Sequence, residues 1–387
     1  MTARPRTVLI APDSFKGSLS SVQVARALAD GWSRARPSDT ILLCPLADGG
    51  EGTLESVAGA GGWEWQEAIV ADPLHRQIRA RWLRSADGQR AVIEMAECSG
   101  LSRVAPVDRD AVHATSAGLG ELLRVVAASG AREVIMGIGG SATSDGGFGM
   151  LCALGMDYSP RPERASPPSG IPEVLDSVTL EALAPELGHL RLSVACDVTN
   201  PLLGPDGAAA IYGPQKGATP EQVADLDGRL AHLGDLLDPA LDWPVSQRDQ
   251  PGAGAAGGVG FALMAIQRAF DRFALRPGVD LVMHATDFEP RLAQADLVIT
   301  GEGRIDAQTA FGKTALGVAL RAQAAGVPCI AVGGGVEPEG VEALAAVGAI
   351  AVPVIEGPRS VEAAMAAGVD PLERAGERLG RLISIEG

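Results

Sequence analysis

The chain has 387 residues, 48 acidic against 32 basic, and a formal net charge of −16. That charge argues against nucleic acid and anionic membrane surfaces as partners, because both need a basic footprint. It leaves room for a small anionic ligand, which needs only a few local cations and helix N-termini.

The hydrophobic share of 46% supplies a sizeable core and excludes a disordered chain. The length suggests two domains, with one large α/β unit as the alternative. Lys16, Lys216 and Lys313 are the only lysines, against 29 arginines, and each abuts a glycine. In a chain that uses arginine wherever any cation serves, those lysines are candidates for specific roles. Cys44, Cys98, Cys152, Cys196 and Cys329 are scattered, odd in number and without a Cys-x-x-Cys spacing. They read as core thiols in a reducing compartment. No apolar run approaches the roughly 18 residues of a membrane span, and the run after the basic start is too short for a signal peptide. The expectation is a soluble cytoplasmic protein.

In chain order, Thr7–Ala11 is a continuous apolar run suited to a buried parallel strand. Ser20 or Ser21 can cap a helix through Trp32, with Val22, Ala25, Leu28, Ala29 and Trp32 on one face. Thr40–Pro45 is the next strand. Arg79–Arg84 and Arg90–Glu94 alternate as antiparallel strands do. Ser116–Ala128 reads as a helix, Glu133–Ile138 as a strand, Tyr158–Pro172 as an exposed Pro- and Ser-rich loop, Leu190–Ala195 as a strand and Phe261–Phe273 as a helix. Towards the C-terminus, Asp296–Thr300, Cys329–Val332 and Ala349–Ile355 are strands. Thr314–Ala325, Val341–Val347 and a segment from Asp370 to Ile383 are helices.

Five buried-type strands alternating with helices predict an α/β fold with a doubly wound parallel sheet of the Rossmann or flavodoxin-like kind. The less uniform middle predicts a second α/β domain inserted into the first. The expected domains are 1–70 plus 290–387, and 71–289.

The loops that follow the strands carry acids and lysines among glycines. They are Asp13-Ser14-Phe15-Lys16-Gly17-Ser18, Asp48-Gly49-Gly50-Glu51-Gly52-Thr53, Gly139–Gly147 with Ser141 and Thr143, and Gly301-Glu302-Gly303-Arg304-Ile305-Asp306. Glycine lets backbone N–H groups approach a phosphate, and carboxylates in such loops suit Mg²⁺. The competing reading of each is a tight turn whose acid satisfies local N–H groups.

Gly312-Lys313-Thr314 before a helix is the tail of a Walker A motif, but its first glycine would fall on Ala307, so it is not a P-loop. It can still bind phosphate. The competing reading is an N-cap Thr314 beside a solvated Lys313. Gly252-Ala253-Gly254-Ala255-Ala256-Gly257 matches the dinucleotide fingerprint but lacks an apolar strand before it, so a Rossmann reading fails. An anion site at Gly254, or plain helix packing, remains. Asp197, after the strand at 190–195 and close to Asn200 and Pro201, suits a base or an Asx-turn. The five histidines share no metal spacing.

These blocks, with Ala11–Ser18, Ala47–Thr53, Gly139–Thr143, Cys196–Pro201, Gly213–Gly217 and Gly301–Asp306 in order, resemble the bacterial class I glycerate kinases nearly end to end. The resemblance implies phosphorylation of D-glycerate by ATP with Mg²⁺, usually to 2-phosphoglycerate, and two α/β domains with the active site in the cleft between them. Two features depart from the family pattern: the Pro-rich segment 157–172, and Phe311 where a histidine is common.

Direct in-line transfer needs positioning and charge neutralisation more than covalent chemistry. Lys16 and Lys313 are then candidates to neutralise phosphate oxygens, with Thr314, Ser141, Thr143, Gly254 and Lys216 as further nucleotide contacts. Asp48 and Glu302 are candidates for Mg²⁺. Asp197 is the favoured base, with Asp306 second. Arg304 is placed on the glycerate carboxylate, with Ser14 and Asn200 as further substrate contacts. The partners expected are ATP and D-glycerate, without nucleic acid or membrane, in a monomer or homodimer. The rivals are an NAD(P)-dependent hydroxy-acid oxidoreductase and a non-catalytic sensor on the same fold.

Overall fold

The computed structural model describes residues 4–161, 169–241, 246–311, 314–357 and 360–384. Its strands in chain order are β1 (Thr7–Ile10), β2 (Thr40–Leu43), β3 (Trp63–Ala71), β4 (Gln77–Ser85), β5 (Arg90–Glu94), β6 (Glu133–Gly137), β7 (Asp157–Ser159), β8 (Ser177–Thr179), β9 (Arg191–Ala195), β10 (Arg272–Arg276), β11 (Leu297–Ile305), β12 (Cys329–Val336) and β13 (Ala349–Pro353).

The chain divides into two compact units, one of residues 1–48, 55–61 and 279–387, the other of 49–54 and 62–278. These bounds differ from 70 and 290. Trp63–Ala71 pairs along its whole length with β4, so β3 belongs with the second unit, while residues 279–289 group with the first.

The first unit holds a five-stranded sheet in the order β13-β12-β11-β1-β2, parallel throughout. The helix Ser21–Ala35 begins with a capping box, in which Ser20 Oγ accepts from Gln23 N and the Gln23 side chain accepts from Ser20 N. Its buried Val24, Ala25, Leu28 and Trp32 form a core with Val8 and Ile10 of β1, Ile299 and the helix Asp370–Ile383.

The second unit holds a six-stranded sheet, β10-β9-β6-β5-β4-β3. Its first four strands are parallel, and β4 and β3 are antiparallel additions. A continuous apolar core runs from Val70 through Ile93, Met136, Phe148 and Val194 to Phe261.

Three expected segments differ in the structure. The loop expected over Tyr158–Pro172 begins in β7 with Tyr158 and Ile171 buried, and its residues 162–168 lie outside the described residues. The expected loop Gly301–Asp306 is largely strand: β11 runs on to Ile305, paired with Gly333–Val336 of β12. The expected helix Phe261–Phe273 ends early. The helix Val259–Ala265 gives way to a short turn and then β10, which pairs with β9 from Arg272 to Arg276. All five cysteines are free. Among the described residues no helix is long and apolar enough to cross a membrane.

Candidate active site

In the first unit the chain leaves β1 towards β2 on one side, while β11, β12 and β13 extend to the other. The strand order therefore reverses between β1 and β11. Open α/β sheets bind ligands at such a point, outside the C-terminal strand ends. Asp13–Ser18 follows β1 there and Glu302–Asp306 lies on the end of β11.

Asp13 is the hub of this corner. Its N–H donates to Gly301 O at 2.8 Å. Its Oδ1 accepts from Ser14 N at 2.6 Å and its Oδ2 from Thr314 Oγ1 at 2.6 Å. Burial raises the Asp13 carboxyl above its ordinary range, and the nearby charge of Asp48 adds to the rise, while the Thr314 hydroxyl and Ser14 oppose it. Two acids share one corner, which is the arrangement a cation relieves.

Gly303 allows the post-β1 turn to lie on β11. A Cβ there would sit 3.3 Å from Lys16 N and Phe15 Cα. Lys16 is exposed, and its side chain has no hydrogen bond or ion pair among the described residues. Glu302 is buried and accepts from Thr309 Oγ1 at 2.8 Å. Arg304 is exposed and paired with Glu337, with Asp306 at 3.4 Å. Binding a substrate carboxylate with Arg304 therefore means competing with Glu337. Asp306 Oδ1 accepts from Gln308 N at 2.9 Å, so it also caps the turn at 307–311.

Lys313 lies outside the described residues, as does Gly312. Thr314 is buried, and its hydroxyl is committed to Asp13 rather than open to a phosphate.

In the second unit a parallel group forms at the C-terminal ends of β5, β6 and β9. Buried Glu94, ending β5, accepts from Leu54 N at 2.5 Å and ties down the Gly49–Leu54 loop. Gly49 has φ +85°, and a Cβ there would fall 2.4 Å from Ala195 Cβ at the end of β9, so only glycine fits. Asp197, two residues beyond β9, is exposed, and its Oδ1 accepts from Gly278 N at 3.0 Å, the first residue of the helix Gly278–Ala285. The helix N-terminus attracts this carboxylate through its unpaired N–H groups. Asn200 is spent on local structure: its Nδ2 donates to Asp206 O at 2.8 Å and its Oδ1 accepts from Tyr212 Oη at 2.7 Å.

The Gly139–Gly147 loop is fixed by Asp145. This buried carboxylate accepts from Ser116 N and Oγ at 2.8 Å and from Gly147 N and Gly149 N at 3.1 Å. Ser141 bridges to Gly100, and the Thr143 and Ser144 hydroxyls are buried without a hydrogen-bond partner among the described residues.

Two expected nucleotide contacts are corrected. Gly254 is not a free turn: its N–H donates to Asn200 O at 2.9 Å, and a Cβ would meet Pro201 O at 2.3 Å, so it serves close packing. Lys216 is 1% exposed, and its ammonium donates to the Thr143 carbonyl, so it does not face outward to a phosphate.

Residues the sequence reading missed are Asp13, Glu94 and Asp145. Asp13 stood inside a quoted block, and its position directly after a buried strand and Pro12 was the available signal. The pairing of Glu94 with a backbone N–H 40 residues away has no local signature.

The glycerate kinase family profile matches residues 8–384. Similar relatives include the glycerate kinase of Bacillus subtilis (strain 168), 45% identical over 85% of each chain. The glycerate 2-kinase of Escherichia coli (strain K12) is 43% identical over 84% of each. A Salmonella typhimurium LT2 protein whose crystal structure is assigned as glycerate kinase 2 superposes with a TM-score of 0.83 at 39% identity, over 99% of both chains. A profile spanning nearly the whole sequence, relatives above 40% identity and a shared two-sheet architecture agree on one conclusion: the chain belongs to the glycerate kinase family.

Proposed function

We propose that this protein transfers the γ-phosphoryl group of ATP to a hydroxyl of D-glycerate, with 2-phosphoglycerate as the favoured product and 3-phosphoglycerate the alternative. The observation that supports it most is the acid pair Asp13 and Asp48, with Asp13 following β1 where the strand order reverses, in a chain of this family.

The residues present fit Mg²⁺. The ion is usually held by one or two carboxylates together with substrate phosphates, without a closed protein cage. No cluster of three or more His, Cys, Asp or Glu is placed to hold a metal among the described residues, but Asp48 with Asp13 supplies the one or two that Mg²⁺ requires. Glu302 is the alternative ligand. The ion would supply charge neutralisation on the nucleotide phosphates.

Lys16 and Lys313 are assigned to phosphate oxygens, and Ser141 and Thr143 to the nucleotide. Ser14 and Arg304 are assigned to glycerate, with Arg304 released from Glu337. Asp197 is the favoured base. Its carboxylate, oriented by the hydrogen bond from Gly278 N, would take the acceptor proton. Asp306 is the second candidate. Five free thiols favour the cytoplasm.

The test is an ADP-release assay with and without D-glycerate, Mg²⁺ present and chelated, followed by phosphorus NMR of the product. ADP release dependent on both D-glycerate and Mg²⁺ is the expected result. Release without an acceptor, or none with it, refutes the reading.

A further inference from the structure

We infer that Lys216 is a positioning residue that holds the Gly139–Gly147 loop through the Thr143 carbonyl, and not a ligand of nucleotide phosphate. This rests on the kinase reading above, in which that loop contacts the nucleotide.

Lys216 ends the 3-10 turn Pro214–Lys216 and is among the largest fully buried side chains of the protein. A lysine is almost never fully buried without a reason, and here its Nζ reaches back to Thr143 O, 73 residues earlier in the chain. The other face of that carbonyl meets Gly257, where a Cβ would fall 2.0 Å from the oxygen. Thr143 O is therefore wedged between an ammonium and a bare backbone. The loop's own hydroxyls do not anchor it, since Thr143 Oγ1 and Ser144 Oγ have no partner among the described residues. The loop backbone is paired with Ser99 and Leu101 and with Gly257, Asp145 adds four hydrogen bonds at its end, and Lys216 holds the Thr143 carbonyl between them; its exposed part is Gly140.

The charged groups that face Lys216 are few. Asp145 lies at the start of the helix Phe148–Leu154, and Arg109 and Asp110 line the same narrow crevice with Leu101 and Ala142. Burial lowers the Lys216 pKa to about 7, with Asp145 opposing the fall. Protonated, Nζ makes a charge-assisted bond to the carbonyl. Deprotonated, it makes a neutral bond of roughly half the strength.

The test exploits the presence of only three lysines. With lysine carrying ¹³C at Cε, the full chain gives three signals whose shifts report protonation. One should titrate near 7, vanish in Lys216→Met, and keep its midpoint when ADP or inorganic phosphate is added. In parallel, kcat for glycerate phosphorylation should show a severalfold decline as pH rises through 7. That limb should be absent in Lys216→Arg, which stays charged, while KM for ATP is unchanged. Lys216→Met should lower kcat roughly tenfold at pH 6.5.

A midpoint that rises on adding ADP or phosphate makes Lys216 a phosphate ligand and overturns the inference. So does the absence of any lysine signal titrating below 9. The labelled wild-type chain carries these arms even if Lys216→Met does not fold. Absence of glycerate-dependent turnover in wild type sinks the kinase reading, whereas an active enzyme with a phosphate-responsive Lys216 sinks only this one.

Discussion

Replacing Lys216 by methionine keeps the length of the side chain and removes its charge, and the structure sets what that does to stability. Burial lowers the lysine from 10.5 to about 7. Between those values the unfolded chain carries the proton and the folded chain does not. Unfolding then takes up a proton, and stability rises with pH. Each pH unit well inside the window is worth about 1.4 kcal/mol, so the full shift corresponds to about 5 kcal/mol. Below pH 7 both states are protonated, and the fold carries the whole penalty of a buried ammonium. Between pH 6 and 9 the wild type should therefore gain about 3 kcal/mol relative to Lys216→Met. The assay is urea unfolding of both proteins at pH 6, 7, 8 and 9, followed by a probe in the second unit such as Trp63, Trp65 or Trp82. Only the difference between the two proteins is read, so titrating groups that do not interact with Lys216 cancel. A difference that stays flat from pH 6 to 9 refutes the argument, because it means the ammonium is solvated in the native protein.

Three further outcomes follow from the geometry. Asp197→Asn keeps the hydrogen bond from Gly278 N and should lower kcat by about 100-fold or more with little change in KM for D-glycerate; an unchanged kcat removes Asp197 as the base. Asp13→Asn leaves the Thr314 hydroxyl a carbonyl to donate to but relieves the crowding with Asp48. It should raise the Mg²⁺ concentration needed for half-maximal rate severalfold, and an unaltered Mg²⁺ titration would exclude Asp13 from cation binding. Gly49→Ala imposes a side chain at φ +85° and an overlap with Ala195, which together should cost about 2–5 kcal/mol in urea unfolding. A loss under about 1 kcal/mol would show that the Gly49–Leu54 loop can lift off the sheet.

Much of the architecture was legible because buried parallel strands are written as continuous apolar runs. Thr7–Ile10 and Leu297–Thr300 show it, and the helices Thr314–Ala325 and Asp370–Ile383 start and stop where the pattern places them. The extension of β11 was hidden for a physical reason. Gly-Glu-Gly-Arg has no strand pattern, and its partner Gly333–Gly335 is as bare, so backbone pairing between two glycine-rich segments leaves no side-chain trace. β10 was hidden because Phe270 and Phe273 continue a helical spacing from Phe261, although their rings stack at 6.2 Å across a turn and a strand. In the site, the acids and lysines were visible as residue types, but their commitments were not. Nothing local says that Thr314 serves Asp13 from 301 residues away, that Arg304 pairs with Glu337, or that Lys216 faces inward.

The interior position of Lys216 has a practical side. Amine-directed dyes, crosslinkers and immobilisation resins react with solvent-accessible primary amines. With one of only three lysines sealed in the core, the native fold offers such reagents at most two ε-amines and the chain terminus. Lys16 stands exposed on the turn after β1, so in a Lys313→Arg variant a label on an ε-amine would report on that turn.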